Sequence, residues 1–254
     1  MILIKTKKEI DYIIESCRIV AETLQLMKSN VKPGVTTKEL DQIAEDYILS
    51  NDGRAAFKGY SQGGSSIDYP GSICASIDDE VVHGIPGSRV LNNGEIISLD
   101  VGVEKKGYFG DAALTVAVGD ISPEKKKLMD VTEKSLYLGI EQAIAGNRVH
   151  DISAAVQIYV ESNGFSIVRD LCGHGVGKFL HEDPAVPNFG EKGTGAKLRK
   201  GMTIAIEPMV NSGRYEVKTA PDGWTILTRD NSPSAHFEHT ILINDNKPEI
   251  LTVQ

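Results

Sequence analysis

The chain repeats itself once, and that repeat leaves few folds open. Thr36-Thr37-Lys38-Glu39 has the pattern of a helix-opening capping box, Leu40, Ile43, Ala44, Tyr47 and Ile48 follow at helical spacing, and Asn51-Asp52-Gly53 closes the segment. About 112 positions later Ile152, Ala155, Val156, Tyr159 and Val160 repeat the spacing, and Ser162-Asn163-Gly164 repeats the close. Another helical stretch precedes each segment. One starts at Glu9, with Ile10, Ile13, Ile14, Cys17, Val20, Leu24 and Met27 on one face and Lys32-Pro33-Gly34 as its stop; the other lies around residues 122–145. A strand that closes on an acid follows each helix pair. Leu91-Asn-Asn-Gly94-Glu-Ile-Ile97-Ser-Leu99-Asp100 leads to Gly110-Asp111, and Leu198-Arg-Lys-Gly201-Met-Thr-Ile204-Ala-Ile206-Glu207 leads to Phe237-Glu238. The repeat is far longer than the roughly 20–50 residues of a solenoid unit. The pattern predicts an α/β (α+β) fold in which one domain, residues 1–254, is built from two related halves of approximately 1–120 and 121–254.

In Ile97-Ser-Leu99-Asp100 and Ile204-Ala-Ile206-Glu207 alternate residues are apolar, as in a half-buried strand, so the closing carboxylate points at the protein rather than at water. An unpaired carboxylate there is costly, and four in one cleft raise each other's pKa unless cations hold them ionised. Two divalent ions bring four positive charges against four negative ones. His174, in Cys172-Gly-His-Gly-Val-Gly177, is a fifth donor whose flanking glycines allow close approach. A single zinc normally takes three protein ligands and a water, so five donors oversupply one ion and suit two. A set rich in oxygen and free of thiolate favours Mn, Fe or Co and admits Zn, Ni and Mg. A water shared by two such ions is a nucleophile available at neutral pH.

The remaining features narrow the setting. With 41% hydrophobic and 24% charged residues the chain is of ordinary globular type, and no apolar run approaches the roughly 20 residues of a membrane helix. The charges that follow Met1-Ile-Leu-Ile disfavour a secretory signal, so a cytoplasmic address is expected. Cys17, Cys74 and Cys172 lack CxxC spacing and leave an odd one over, which fits reduced thiols. A net charge of −8 disfavours a nucleic-acid surface, and Lys125-Lys126-Lys127 reads as a solvated helix face. Residues 61–68 and 190–196 read as polar, glycine-rich surface loops. The second has Ala196 where a phosphate loop needs lysine. No GxSxG elbow is present. His181-Glu182 begins like HExxH, but Ala185 stands at the second histidine and Pro184 would break the helix. His150 and His236 read as ordinary, and His239 as an outer partner of the site.

Val82-His83-Gly-Ile-Pro86, Ile97-Ser-Leu-Asp100-Val, Gly110-Asp111, Gly173-His174-Gly-Val-Gly177, His181-Glu-Asp-Pro184, Ala205-Ile-Glu207-Pro-Met209 and Glu238-His-Thr240 together resemble the type 1 methionine aminopeptidases, in the right order and over almost the whole chain. That resemblance implies the "pita-bread" fold, a pseudo-twofold duplication in which helices cover an antiparallel sheet around a dinuclear site. It implies Asp100, Asp111, His174, Glu207 and Glu238 as metal ligands, with Asp111 and Glu238 shared between both ions and Glu207 also the general base. His181 would hydrogen-bond the scissile peptide and its tetrahedral intermediate, and His83 would sit beside the substrate and shuttle a proton, making His83, His181 and Glu207 the implied catalytic residues. The implied substrate is the N-terminal methionine of a nascent polypeptide with a small second residue, met near the ribosome by a monomer.

A methionine pocket is expected from Phe57, Tyr60, Tyr69, Cys74, Leu180 and Trp224, since aromatic walls suit a polarizable thioether. Two departures from the family pattern stand out. The stretch from Tyr60 to Cys74 is longer than usual, and Asp78-Asp79-Glu80 replaces an Asn-Glu pair where some relatives hold a monovalent cation. X-Pro peptidases of the same fold carry a sizeable N-terminal domain, whereas here the metal-binding half begins almost at once. Type 2 aminopeptidases carry an insertion that the interval from Glu207 to Glu238 does not accommodate. Non-catalytic relatives are expected to lose ligands that this chain retains.

Overall fold

The computed structural model describes residues 2–61 and 67–253. The first half runs α1 (Lys7–Asn30), α2 (Thr37–Ser50), β1 (Arg54–Ala55), β2 (Cys74–Ile77), β3 (Glu80–Val82), β4 (Ile96–Lys105) and β5 (Tyr108–Ala117). The second begins with α3 (Pro123–Glu141), α4 (Val149–Ser162), β6 (Ser166–Ile167), β7 (Cys172–Gly175) and β8 (Glu182–Pro187). It continues with β9 (Thr203–Ile206), β10 (Met209–Asn211), β11 (Val217–Thr219), β12 (Ile226–Thr228), β13 (Ser234–His236), β14 (Glu238–Leu242) and β15 (Glu249–Ile250). The large sheet has the order β1-β4-β5-β14-β9-β7-β8, with β2 also on β4 and β15 on β14. Two small sheets, β13-β10-β6 and β11-β12-β3, flank it.

The helices start where the sequence supplies caps. Thr36 and Glu39 form the expected box at α2, and Thr6 with Glu9 forms a second one at α1 that the sequence reading did not single out. Each contributes about 1 kcal/mol. Ser122 caps α3, with Pro123 next, and α3 ends at Glu141, four residues short of the expected stretch. Val20, Leu24, Leu40 and Ile48 of α1 and α2 pack on Ile97, Leu99 and Val101 of β4. Leu136, Ile140 and Ile152 of α3 and α4 pack on Ile204, Ile206 and Ile241. Both helix pairs therefore lie on one face of the sheet, and the alternate residues face the other way.

Register lines up that other face. Cys74 pairs with Asp100, Asp100 with Ala113, and Ala113 with Glu238. Because His239 pairs with Ile206, Glu207 follows beside Glu238 in the same row. Neighbouring strands lie about 4.8 Å apart, so the row gathers acids from both halves. Asp111, two residues from Ala113, lies on the same face. Asp100 does not close its strand as expected: β4 runs on to Lys105 and turns through Lys106 and Gly107, both with positive φ (55° and 79°), directly into β5. His174 likewise lies within β7 rather than in a free glycine turn. Gly173 is there because a Cβ would come within 2.4 Å of the Ala205 carbonyl oxygen.

Two further expectations need correction. Lys125 does not sit on a solvated face; its ammonium donates to Asp78 Oδ1 at 2.6 Å and to the Gly94 carbonyl at 2.8 Å, joining the two halves. His239 alternates with Glu238 and so faces the helices, where it bonds Thr252 at 2.8 Å, away from the acid row. Of the expected loop at 61–68, residues 62–66 lie outside the described residues.

Candidate metal centre and substrate pocket

Asp111, His174 and Glu238 offer ligand atoms that all lie within 4.8 Å of one another. His174 Nε2 is 3.5 Å from Glu207 Oε1 and 3.9 Å from Asp111 Oδ2. Its Nδ1 bonds the Gly175 carbonyl at 2.9 Å, which turns Nε2 toward the acids. Asp100 stands in the same row, opposite Cys74. Thr240 grips the Asp111 backbone twice: its hydroxyl accepts from the N–H at 3.1 Å and donates to the carbonyl at 2.7 Å.

Burial is the first cause of every pKa shift here. It pushes Asp100 up to about 7, although bonds with Asp111 and Cys74 pull the other way. Asp111, Glu207 and Glu238 are raised well above the usual carboxylate range, by burial first and then by one another's charge. Burial also lowers His174 to about 3 and His83 to about 4, so both imidazoles are neutral near pH 7. Asp100 Oδ1, Asp111 Oδ1 and Glu238 Oε1 are buried without a hydrogen-bond partner. Acids that repel one another, retain protons and leave oxygens unpaired fit divalent cations as the missing partner.

The sequence reading passed over one residue. His236, taken there as ordinary, is 1% exposed, and its unpartnered Nε2 lies 3.9 Å from Glu207 Oε2 and 4.0 Å from Glu238 Oε2. The Thr115 hydroxyl fixes its backbone, accepting from the His236 N–H at 2.9 Å and donating to its carbonyl at 2.8 Å. His236→Leu is expected to weaken metal binding by roughly 10- to 100-fold, whereas His236→Gln, which keeps a donor, retains most of it. Titration of chelated protein with Mn(II) measures this, and equal affinity in the Leu variant would mean that the imidazole plays no part.

A cavity of about 370 Å³ opens onto the acids and is walled by Phe57, Tyr60, Tyr69, Cys74, His83, His181 and Trp224. The Tyr69 ring meets Trp224 edge-on at 5.3 Å, and the Tyr69 hydroxyl donates to the carbonyls of Ile73 (3.0 Å) and Gly84 (2.8 Å). Asp222 caps the turn that carries Trp224, accepting from its N–H at 2.8 Å. Leu180 packs in the same apolar cluster but lines the neighbouring depression. Tyr60 Oη is 2.7 Å from His181 Nδ1, and the His181 ring lies 4.4 Å from that of His174. His83 has a left-handed backbone (φ 60°), rare for a non-glycine residue and found where surrounding structure demands it. At Asp78-Asp79-Glu80 the first two carbonyls accept from the N–H groups of Ser234 (2.8 Å) and Thr228 (2.9 Å), and Lys125 brings a cation of its own.

A buried cluster of carboxylates closed by imidazoles, beside an apolar pocket, is the equipment of a metal-dependent hydrolase. Comparison with known proteins makes the class definite. The profile of metallopeptidase family M24 matches residues 11–245, and the chain belongs to that family. It is 51% identical over 253 residues to a methionine aminopeptidase of Clostridium perfringens, covering 100% of this chain and 99% of that one. The crystal structure of methionine aminopeptidase from Thermotoga maritima superposes with a TM-score of 0.96 at 44% identity, covering all of both chains. Prolidase from Pyrococcus furiosus shares the pita-bread fold alone, with a TM-score of 0.77 at 20% identity over 99% of this chain and 65% of that one.

Proposed function

We propose that this chain removes the N-terminal methionine from peptides and nascent polypeptides with a small second residue, using two divalent ions held by Asp100, Asp111, His174, Glu207 and Glu238. The observation that carries this reading is the aromatic cavity of about 370 Å³ ending on the acid row, in a chain about half identical to proteins named methionine aminopeptidase. Bound ions would polarise the scissile carbonyl, anchor the free α-amine and lower the pKa of the attacking water.

The protein's own groups do the rest. Glu207, the residue after β9, takes the proton of the attacking water and passes it to the leaving amine. In the tautomer in which His181 Nδ1 accepts from the Tyr60 hydroxyl 2.7 Å away, Nε2 carries the hydrogen and donates to the carbonyl oxygen as negative charge develops there. His83, neutral at working pH, lies beside the substrate and supplies a second bond to the peptide. Phe57, Tyr60, Tyr69, Cys74 and Trp224 receive the methionine side chain, with Leu180 packed in the same apolar cluster. The three free cysteines support a reducing compartment, and a monomer meeting new chains near the ribosome is the setting proposed.

Metal-loaded protein is expected to release methionine from Met-Ala-Ser, to leave Ala-Pro substrates intact and to stop on chelation. Release from Ala-Pro alone would favour an X-Pro peptidase, and no release from either, with Glu207→Ala indistinguishable from the parent, would sink the enzymatic reading. Trp224→Ala should raise KM for Met-Ala-Ser more than it lowers kcat, because it removes a wall and no reacting group. A kcat effect with unchanged KM would move Trp224 out of the pocket.

A further inference from the structure

The turn between β7 and β8 carries both Leu180 and His181. Its first part is held by backbone: the Val176 N–H donates to the Thr203 carbonyl at 3.1 Å, and the Phe109 N–H to the Gly177 carbonyl at 2.8 Å. Its second part is held by a side chain. Glu182 Oε1 accepts from the Phe179 N–H at 3.0 Å, and Glu182 Oε2 accepts from Lys5 Nζ at 2.6 Å. Both charged side chains are buried, with 4% and 3% exposure. Lys5 is anchored in turn, since its N–H donates to the Gly201 carbonyl at 2.9 Å. Its stem crosses Gly177, where a Cβ would lie 2.5 Å from Lys5 Cε.

A buried ion pair is a poor way to gain stability, because desolvation of both charges offsets their attraction and an apolar pair of like volume does as well or better. What it supplies is direction. One carboxylate, fixed by an ammonium on one oxygen, presents the other to the backbone two residues before His181. We propose that Lys5 is a positioning residue for His181, acting through Glu182, so that the segment preceding α1 is part of the active-site structure. The inference rests on the methionine-releasing activity proposed above. Loss of the ammonium leaves a lone buried carboxylate that turns outward to water, and the Phe179 N–H then loses its acceptor. His181 moves off Tyr60 and away from the carbonyl it serves; a misplacement of about 1 Å can cost on the order of 100-fold in rate.

The test uses the metal-loaded full chain with Met-Ala-Ser as substrate. The paired variant Lys5→Met/Glu182→Met leaves no unpaired charge, so it is expected to unfold at or above the parental temperature while kcat falls roughly 10- to 100-fold and KM changes little. Lys5→Arg is expected to recover most of kcat, and Lys5→Met is expected to take nothing further from His181→Ala. In zinc-loaded protein carrying 15N-labelled histidine, the His181 ring resonances should shift in the paired variant. Parental kcat in the stably folded paired variant, or an undiminished effect of Lys5→Met in the His181→Ala background, overturns the inference. Should the parent itself release no methionine, the functional reading fails, and unshifted His181 resonances would separately overturn the role of Lys5.

Discussion

Asp111→Asn is expected to lower methionine release by more than the roughly 100-fold that loss of an outer partner of a metal site costs, because it removes a ligand outright. Asp111 stands among the other donors: burial raises its carboxyl first and the charges of Glu238 and Asp100 after it, and it lies 3.9 Å from His174 Nε2. Its Oδ1 is buried and unpaired, so that oxygen is free to face a cation. An amide keeps the volume but replaces one oxygen with N–H donors that repel a cation, and it deletes one of four negative charges. The backbone should not move, since Thr240 holds it through main-chain atoms alone. Loss of function would therefore report on chemistry rather than on folding. Methionine release from Met-Ala-Ser and bound metal per chain are the two measurements. A variant that binds two ions and turns over near the parental rate would refute the shared-ligand role. The same reasoning applies to Glu238→Gln, whose Oε1 is equally buried and unpaired.

The acids were legible because short-range pattern carries them. Period-two alternation before Asp100 and Glu207 says which way those side chains face, and the repeated helix pair says that two such strands come together. The meeting of Cys74, Asp100, Ala113, Glu238 and Glu207 in one row is a matter of register between strands far apart in sequence, which no local pattern encodes. His236 could have been found. It stands two residues before Glu238, and period two puts both on one face, but a single histidine in Ser-Ala-His-Phe-Glu carries no motif. The Lys5–Glu182 pair, 177 positions apart, had no signal at all. Lys125 was misread for the opposite reason: a run of three lysines looks solvated, while helical spacing turns only the first toward Asp78. The Trp224 turn was readable because Asp222 and Gly223 announce it.

The metal-free chain is expected to lose stability as pH rises from about 7 to about 8.5, and the metal-loaded chain is expected not to. Two sets of buried groups oppose each other below that window. Burial lowers His83 and His239 to about 4 and His174 and His236 to about 3, so between those values and their unfolded pKa near 6.5 the unfolded chain binds more protons, and stability rises with pH. The carboxylates act the other way. Asp100 is raised to about 7, and Asp111, Glu207 and Glu238 are raised well above their ordinary range, so the folded chain holds protons that the unfolded chain loses around pH 4 and has shed by about pH 6. Above about pH 7 the histidines are largely neutral in both states and the acid row is the main remaining contributor. One excess proton across 1.5 pH units amounts to about 2 kcal/mol, a fall in Tm on the order of 5 °C for a chain of this size. Divalent ions expel those protons on binding, so with saturating metal the folded chain no longer carries the excess, and tighter binding at higher pH stabilises it further. Thermal unfolding from about pH 7 to about pH 8.5, with chelator and with excess Mn(II), measures both curves. Parallel curves would mean that the acids are already ionised in the metal-free protein, and that the cluster does not depend on a cation to hold its charge.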